Sequence, residues 1–494
     1  MFVMSMRISN FKVSLAHIHW LQNRAFPLLA LLLASGLYFY ELDAESLWRD
    51  EFYSIRDAQN IDINALRVRP LYYLCLNLWM HFGSGDIWLR SLSVLFAIAS
   101  VPLMYWLSRR LVGNKAAILA TLLLVLSPEC IDHAQEVRMY MLGVFLSLAG
   151  SLALTYALEK PKQVWIGIWI LARYLVMLTT PLNLLILLPD GLLVLTKFYR
   201  QPSVLKKFSL WLGGLGIAWL PFGWSLMQAS EKFAGDWASE IQRNPIASLV
   251  RILVTFTVGM GDIPLAEFSW SQKVFFFSLS AVLVGLIAVA LFRQKFSSRL
   301  WWLAAWVFLP SLTILVYSYA RHSLLINRYL LFMCPYVLIL LAVGFIRIWN
   351  WKRFLGMTLA TLYLIGITSG LGYHYTVQTR EAWRDAVQII SQQEQPGDAI
   401  SVYSNDLAVD YYYQGQAPIY KLALDRNKEG LSKQAFQKLF TDLPTIESRL
   451  WIIYRHRGSE KHDFLFRQAL EESFKINQHH DVPKIELFLT SRKN

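Results

Sequence analysis

The sequence predicts a mainly α fold, a polytopic bundle of transmembrane helices followed by a small α/β domain. Composition is the first reason. Of 494 residues, 55% are hydrophobic and only 16% charged, where a soluble chain carries roughly a quarter charged residues. Length is the second: apolar runs of about 17–25 residues, enough to cross a bilayer, recur along most of the chain. The third is a change after about Tyr375 to the mixed pattern of an ordinary soluble protein. The 19 Trp and 23 Tyr suit aromatic belts at two membrane interfaces.

Hydropathy and turn signals place about eleven spans. They fall near 25–41, 86–108, 116–130, 139–158, 164–180, 181–197, 208–227, 272–292, 300–320, 329–346 and 354–373. The connectors Arg109 to Lys115, Lys197 to Lys207, Arg293 to Arg299 and Arg347 to Arg353 are rich in Lys and Arg. All four fall on one side if the amino terminus is cytoplasmic, which is the positive-inside pattern. That parity puts Asp50, the 131–138 loop, the 228–271 loop and the carboxyl-terminal tail on the outer face. Pro181 marks either a tight outer turn or a kink. Residues 249–262 are apolar but short, and suit an interfacial or re-entrant segment. Residues 53–80 mix charges with Leu, Tyr and Trp and read as amphipathic helices on the outer surface. The expected division is a membrane domain over 1–375, with a first outer loop over 41–85, and an extracytoplasmic domain over 376–494. Arg7, Lys12 and Arg24 precede the first span, and no small-residue cleavage site follows it, so it is expected to be a retained anchor.

In the tail, Trp383, Val387 and Ile390 mark one helix face, and Gln395-Pro396-Gly397-Asp398 is a turn. Residues 399–403, 450–454 and 485–490 read as strands, and 432–442 and 460–474 as helices. This alternation suggests a domain of about 120 residues with a largely parallel sheet. It contains no glycine-rich phosphate loop, which argues against a nucleotide site.

The net charge of +13 does not point to nucleic acid, because the basic residues sit in short connectors rather than in a stripe. Cys75, Cys130 and Cys334 lack metal-ligand spacing and are expected to be packing residues.

The most informative short stretch is Trp48-Arg49-Asp50-Glu51, which follows the apolar run from Phe26 to Tyr40. Adjacent carboxylates just outside a span are tolerated where water or a polar site reaches them. Arg173 lies inside an apolar run. Facing lipid it would cost roughly 2.5–3.5 kcal/mol, so a polar cavity or a carboxylate is expected beside it.

Several stretches together resemble the bacterial family-39-type glycosyltransferases, relatives of protein O-mannosyltransferases and of the lipid A aminoarabinose transferase. Ser46 to Ile55 resembles the first outer-loop motif of that family. Arg69-Pro70-Leu71-Tyr72-Tyr73-Leu74 is similar to its His-Pro-Pro-Leu-Tyr-Tyr segment, with Arg69 in place of His and one Pro missing. Ser127-Pro128 followed by Gln135-Glu136-Val137-Arg138-Met139-Tyr140 matches its Ser-Pro and Gln-Glu-Ala-Arg-Met-Tyr stretch. Asn327-Arg328-Tyr329 and Trp383-Arg384-Asp385-Ala386 also fit. Relatives often carry a Thr-His-Tyr-like stretch where Thr179-Thr180-Pro181 stands here, so no role of that His is carried over.

The resemblance covers essentially the whole chain and implies a type-C glycosyltransferase fold in the cell membrane. It implies a polyprenyl-phosphate-linked sugar donor and transfer on the outer face, with an aspartate of the first loop in catalysis. The acceptor stays open among a protein, a lipid and a glycan. On this reading Asp50 is the general base, acting by direct displacement with inversion, and Glu51 orients it or holds the acceptor. One base suffices, because a departing lipid phosphate is a stable anion, unlike the alkoxide that glycoside hydrolysis must protonate. Such assistance contributes roughly 10²- to 10⁴-fold.

Arginine suits the donor phosphate, since it offers paired charge-assisted hydrogen bonds. Arg49, Arg69, Arg138, Arg321 and Arg328 are the outer candidates. Arg138 and Arg328 each abut a span, although arginines there can also snorkel to water. Glu136 either pairs with Arg138 or touches the sugar. Tyr72, Tyr73 and Tyr140 either stack on the sugar or line the lipid groove, or are ordinary interfacial aromatics, and Tyr329 is a further substrate-binding candidate. No metal site is predicted, because Asp50 and Glu51 are adjacent and the outer loops show no His-rich partner motif. Water-rich Mg²⁺ or Mn²⁺ binding stays open. The alternative from another class is a transporter or flippase for a lipid-linked sugar. Transporters often carry internal repeats with paired broken helices, and no convincing repeat is found here.

Overall fold

Backbone in a bilayer must satisfy its own hydrogen bonds, so long apolar runs fold as helices. The computed structural model describes residues 25–61, 70–233, 244–259, 268–293, 298–320, 324–403, 407–422, 432–443, 449–456 and 460–493. They form two compact units. The membrane unit comprises Met1–Tyr40 and Asp57–Thr376, and the tail unit comprises Glu41–Arg56 and Val377–Asn494.

Among the described residues, seven helical elements of the membrane unit are long and apolar enough to cross a bilayer. They are α4 (Asp86–Val112), α7 (Tyr140–Glu159), Pro181–Phe198, α12 (Trp270–Phe292), α13 (Ser298–Ala320), Asn327–Trp351 and α15 (Arg353–Thr376). Pro181–Phe198 is a 3₁₀ turn running into α9 (Leu187–Phe198), and Asn327–Trp351 a 3₁₀ turn running into α14 (Cys334–Trp351). Helices α5 (Asn114–Val125) and α6 (Pro128–Ala134) make an eighth span if their 53° bend is counted as one crossing. Shorter apolar helices are α1 (Ala25–Phe39), α8 (Gln163–Met177) and α11 (Pro245–Val258), while α10 (Pro202–Phe233) contains the expected span 208–227. All eleven expected stretches are therefore helical, and 249–262 begins as the short helix α11. Of the apolar window in Asn327–Trp351, 89% is buried, against 28% in α15, so α14 is the bundle's central helix and α15 a peripheral one.

Three basic connectors lie at one end of this unit. Arg299 donates to the Arg110 carbonyl (2.9 Å) and pairs with Glu159 (3.4 Å), which also pairs with Arg110 (2.6 Å). Arg293 lies 3.8 Å from the centre of the Trp351 ring, joining the connector that begins at Arg293 to the one that begins at Arg347. Gly113, with φ +86°, ends α4 and opens α5 in a conformation that a side chain would strain.

Arg173 meets a carboxylate. Its Nε lies 2.6 Å from Asp190, which also accepts from the Trp169 and Trp306 indoles at 2.7 Å each. Cys130 and Cys334 are buried, with their sulfurs 3.9 Å apart.

In the tail unit, α16 (Trp383–Gln393) leads into β1 (Ala399–Tyr403), α17 (Ala408–Tyr412) and β2 (Ile419–Leu422). After these come α18 (Lys433–Thr441), β3 (Leu450–Arg455), α19 (Glu460–Ser473), β4 (Phe474–Val482) and β5 (Ile485–Arg492). The strand order is β2-β1-β3-β5-β4. Strand β1 is parallel to β2 and β3, but β5 is antiparallel to β3 and β4. The sheet is thus mixed rather than largely parallel. The cause is the tight turn at Pro483-Lys484, which makes β4 and β5 a hairpin, and a hairpin must be antiparallel. Tyr403, Phe436, Ile452, Tyr454, Phe466 and Phe488 form the centre of its core.

Candidate functional site

The residues that suggest chemistry fall in both units. In the membrane unit, the Ser127-Pro128 pair ends one helix and starts the next. Ser127 Oγ accepts from the Cys130 N–H (3.3 Å) and donates to the Phe256 carbonyl (2.8 Å), with Pro128 at the first helical position. The short helix this starts brings Glu129 and His133 onto one face, four residues apart. His133 Nε2 lies 3.1 Å from Glu129 Oε1, and its Nδ1 lies 3.1 Å from Glu136 Oε2. Asn327, at the start of the 3₁₀ turn, donates to the same Glu129 oxygen at 2.7 Å. The result is a chain from half-buried Asn327 through buried Glu129 and His133 to buried Glu136. A neutral imidazole donates from one nitrogen only. Two ionised carboxylates on one ring therefore require either an imidazolium or a proton on one carboxyl group.

Arg138 and Tyr140 continue from this chain. The Tyr140 ring packs against His133 with centroids 4.9 Å apart, and Arg138 Nη2 reaches the Tyr140 hydroxyl at 3.5 Å. Ser93 Oγ donates to the Arg138 carbonyl (3.0 Å), so the Tyr72 hydroxyl, 2.9 Å away, donates to Ser93. Glu136, Arg138, Tyr140 and Tyr72 are thus brought together, and all four are buried. Arg328 and Tyr329 follow Asn327 directly, are half-buried, and stack as cation on ring at 5.6 Å. Arg69 and Arg321 lie outside the described residues.

Gln135 ties this loop to two helix ends. Its amide donates to the carbonyls of Tyr38 (3.2 Å) and Tyr40 (2.8 Å), which close α1, and its Oε1 lies 2.9 Å from His374 Nε2 near the end of α15. Asp132, His133 and Glu136 each offer one ligand atom, all within 4.8 Å of one another. The loop therefore holds a histidine between acids, a grouping that the motif reading did not recognise. The 3.1 Å between His133 Nδ1 and Glu136 Oε2 also suits two ligands of one ion at roughly 2.0–2.2 Å from each.

In the tail unit, Asp50 and Glu51 occupy the first turn of α2 (Arg49–Gln59). Asp50 is half-buried at a position where the helix dipole favours a carboxylate. Glu51 is fully buried, and its Oε2 accepts from the Trp48 N–H at 3.0 Å. That is the return half of a capping box. Arg49 is exposed and reaches the Tyr53 hydroxyl through Nε (3.2 Å) and Nη2 (3.1 Å).

The signal for Glu129 and His133 was present in the sequence as spacings of four and then three residues behind a Ser-Pro cap. Asn327 was readable only as part of its motif.

No protein-family model and no curated protein matches the sequence. Solved structures do. ArnT from Cupriavidus metallidurans, bound to undecaprenyl phosphate, is similar with a TM-score of 0.57 at 14% identity, covering 94% of this chain and 97% of that one. The oligosaccharyltransferase of Archaeoglobus fulgidus in its apo form gives 0.52 at 11% identity, over 87% of this chain and 69% of that one. The AglB oligosaccharyltransferase of the same organism, in complex with an inhibitory peptide and a dolichol-phosphate, gives 0.50 at 10% identity, over 96% and 75%. The fold is that of type-C membrane glycosyltransferases, with a small carboxyl-terminal sheet domain.

Proposed function

We propose that this chain is an integral-membrane glycosyltransferase moving one sugar from a polyprenyl-phosphate carrier to an acceptor outside the cytoplasm. The observation that carries it is the match over nearly the full length of both chains to a structure bound to undecaprenyl phosphate. The buried charged loop around Glu136 and Arg138 adds the chemistry such a donor needs.

In this reading the acceptor hydroxyl or amine attacks the anomeric carbon and Asp50 takes its proton. The bond between that carbon and the phosphate oxygen breaks with inversion, and the carrier leaves as a phosphate monoester. Arg138 and Arg328 hold that anion, and the Glu129–His133–Glu136 chain keeps the loop of Arg138 in place. Tyr72, Tyr140 and Tyr329 line the donor side, while Arg49 and Arg69 are the remaining cationic candidates. Asp132, His133 and Glu136 are the residues that would hold a divalent ion, which would supply positive charge to the phosphate.

The experiment begins with mass spectrometry of the lipid that co-purifies with the protein, which identifies the carrier. Transfer from that lipid is then measured in proteoliposomes. Asp50→Asn should insert and fold normally yet lose transfer by roughly 10²-fold or more. Near-normal turnover by this variant would eliminate Asp50 as the base.

A further inference from the structure

The start of the expected first outer loop folds with the tail unit. Residues Glu41–Arg56 fold with Val377–Asn494, and the contacts are specific. Glu45 Oε1 accepts from the backbone N–H groups of Thr379 and Arg380, the latter at 3.3 Å. Ser46 Oγ accepts from the Arg384 N–H (3.0 Å), and Arg384 Nη2 donates to the Asp43 carbonyl (2.6 Å). The Leu47 N–H donates to the Tyr412 hydroxyl at 2.9 Å. Phe52 packs edge-on against Tyr411 and Tyr412, with centroids 5.5 and 5.8 Å away.

Arg380 is the centre of this arrangement. Its Nε lies 3.4 Å from Glu45 Oε2 and its Nη1 lies 3.7 Å from Glu51 Oε2. One guanidinium therefore spans both ends of the turn that leads into α2. Glu51 is 0% exposed and the Arg380 side chain only 10%, so water screens the pair weakly. The Glu51 oxygen that faces Arg380 is also the one that caps α2 at Trp48. Cap and ion pair thus fix the same helical turn, and Asp50 is the residue between them.

We propose that Arg380 is a positioning residue for transfer. Through Glu51 and Glu45 it sets the first turn of α2 and hence the direction of the Asp50 carboxylate. The tail domain is then a working part of the enzyme and not a cover. This rests on Asp50 being the base.

The test is a double-mutant cycle on turnover in proteoliposomes, using Arg380→Gln, Glu51→Gln and both together, with Asp50→Asn and Arg380→Lys alongside. Glu51→Gln keeps the shape and an acceptor for the Trp48 N–H but removes the charge. Each single change should lower kcat by about 10²-fold, the scale expected when a reacting group is misplaced by an ångström, with KM for the donor lipid unchanged. The double variant should be no worse than either single one, because both remove the same interaction. Arg380→Lys should recover part of the loss. Glu51→Gln with wild-type kcat, while Asp50→Asn is inactive, would overturn the positioning role and leave the base intact. Full turnover by Asp50→Asn would instead remove the base assignment and this inference with it. If Arg380→Gln does not fold, Glu51→Gln and Arg380→Lys still decide.

Discussion

Arg173 and Asp190 form a wholly buried ion pair, with Nε and Oδ2 2.6 Å apart and both side chains at 0% exposure. Neutral groups around the pair add further hydrogen bonds to both charges. Arg173 also donates to the Ser147 carbonyl (2.9 Å) and to Ser151 Oγ (2.7 Å), while Asp190 accepts from two indoles. Gly150 makes the space, since a Cβ there would lie 2.4 Å from Arg173 Nη1. Removing one partner leaves the other charge buried, which costs about 3–5 kcal/mol. Asp190→Leu and Arg173→Met should each lower the thermal midpoint in detergent by more than the two changes made together. A double variant that loses as much as the sum of the single ones would show that the pair is not coupled.

Gly370 gives a second structural prediction. A Cβ at this position would lie 1.8 Å from the Val258 carbonyl oxygen, a rigid backbone atom, and 3.1 Å from Pro128. Gly370 is thus where α15 comes against the end of α11 and the start of α6. Two residues on, Gly372 has nothing within 4 Å. Gly370→Ala should sharply reduce the yield of folded protein. Gly372→Ala should be tolerated, and by helix propensity gain up to about 1 kcal/mol. Size-exclusion profiles of the two variants check this, and equal behaviour would contradict the close packing.

The parts of the fold that could be read in the sequence are those with little freedom. A run of bilayer length must be helical, so the spans are found wherever hydropathy peaks. The break at Ser127-Pro128 is invisible to hydropathy, because the apolar run continues through it. Strand β4 was missed since it is a sheet edge, and Lys475, Gln478 and His479 are exposed there. Strand β2 has only four residues, with one of them buried. The motif stretch identified Glu136, Arg138 and Tyr140, whereas Glu129 and His133 needed helical spacing to be seen as partners. The grip of Arg380 on Glu45 and Glu51 joins residues more than 300 apart in the chain. No local pattern encodes it.

Arg138 carries the prediction on the donor side. If its guanidinium holds the carrier phosphate, Arg138→Ala should weaken competition by free polyprenyl phosphate. A hydrogen bond to a charged group contributes about 1.5–3 kcal/mol, so the inhibition constant should rise about 10- to 100-fold. Acceptor KM should stay near its original value. Arg138→Lys should recover only part of the affinity, because a point charge cannot make the paired contact. Unchanged inhibition by the carrier phosphate would take Arg138 out of the donor site.

Asp398 makes the tail domain sensitive to acid. Burial alone would raise the pKa of its carboxyl group, but Arg449 donates to both oxygens at 2.9 and 2.6 Å, and the Gln395 N–H and Trp451 indole add further bonds at 3.0 and 3.2 Å. Together these hold it below the usual carboxylate value. A carboxyl whose folded pKa lies below its unfolded one, about 3.9, stabilises the fold fully above the unfolded value. That contribution fades as pH falls through the folded value. Thermal melts of the full-length protein should therefore be flat in this respect near pH 7 and fall below about pH 4. Asp398→Asn should lose about 1.5–3 kcal/mol near neutrality and show a shallower acid slope. Parallel acid slopes for the variant and the original protein would mean that another group governs the loss.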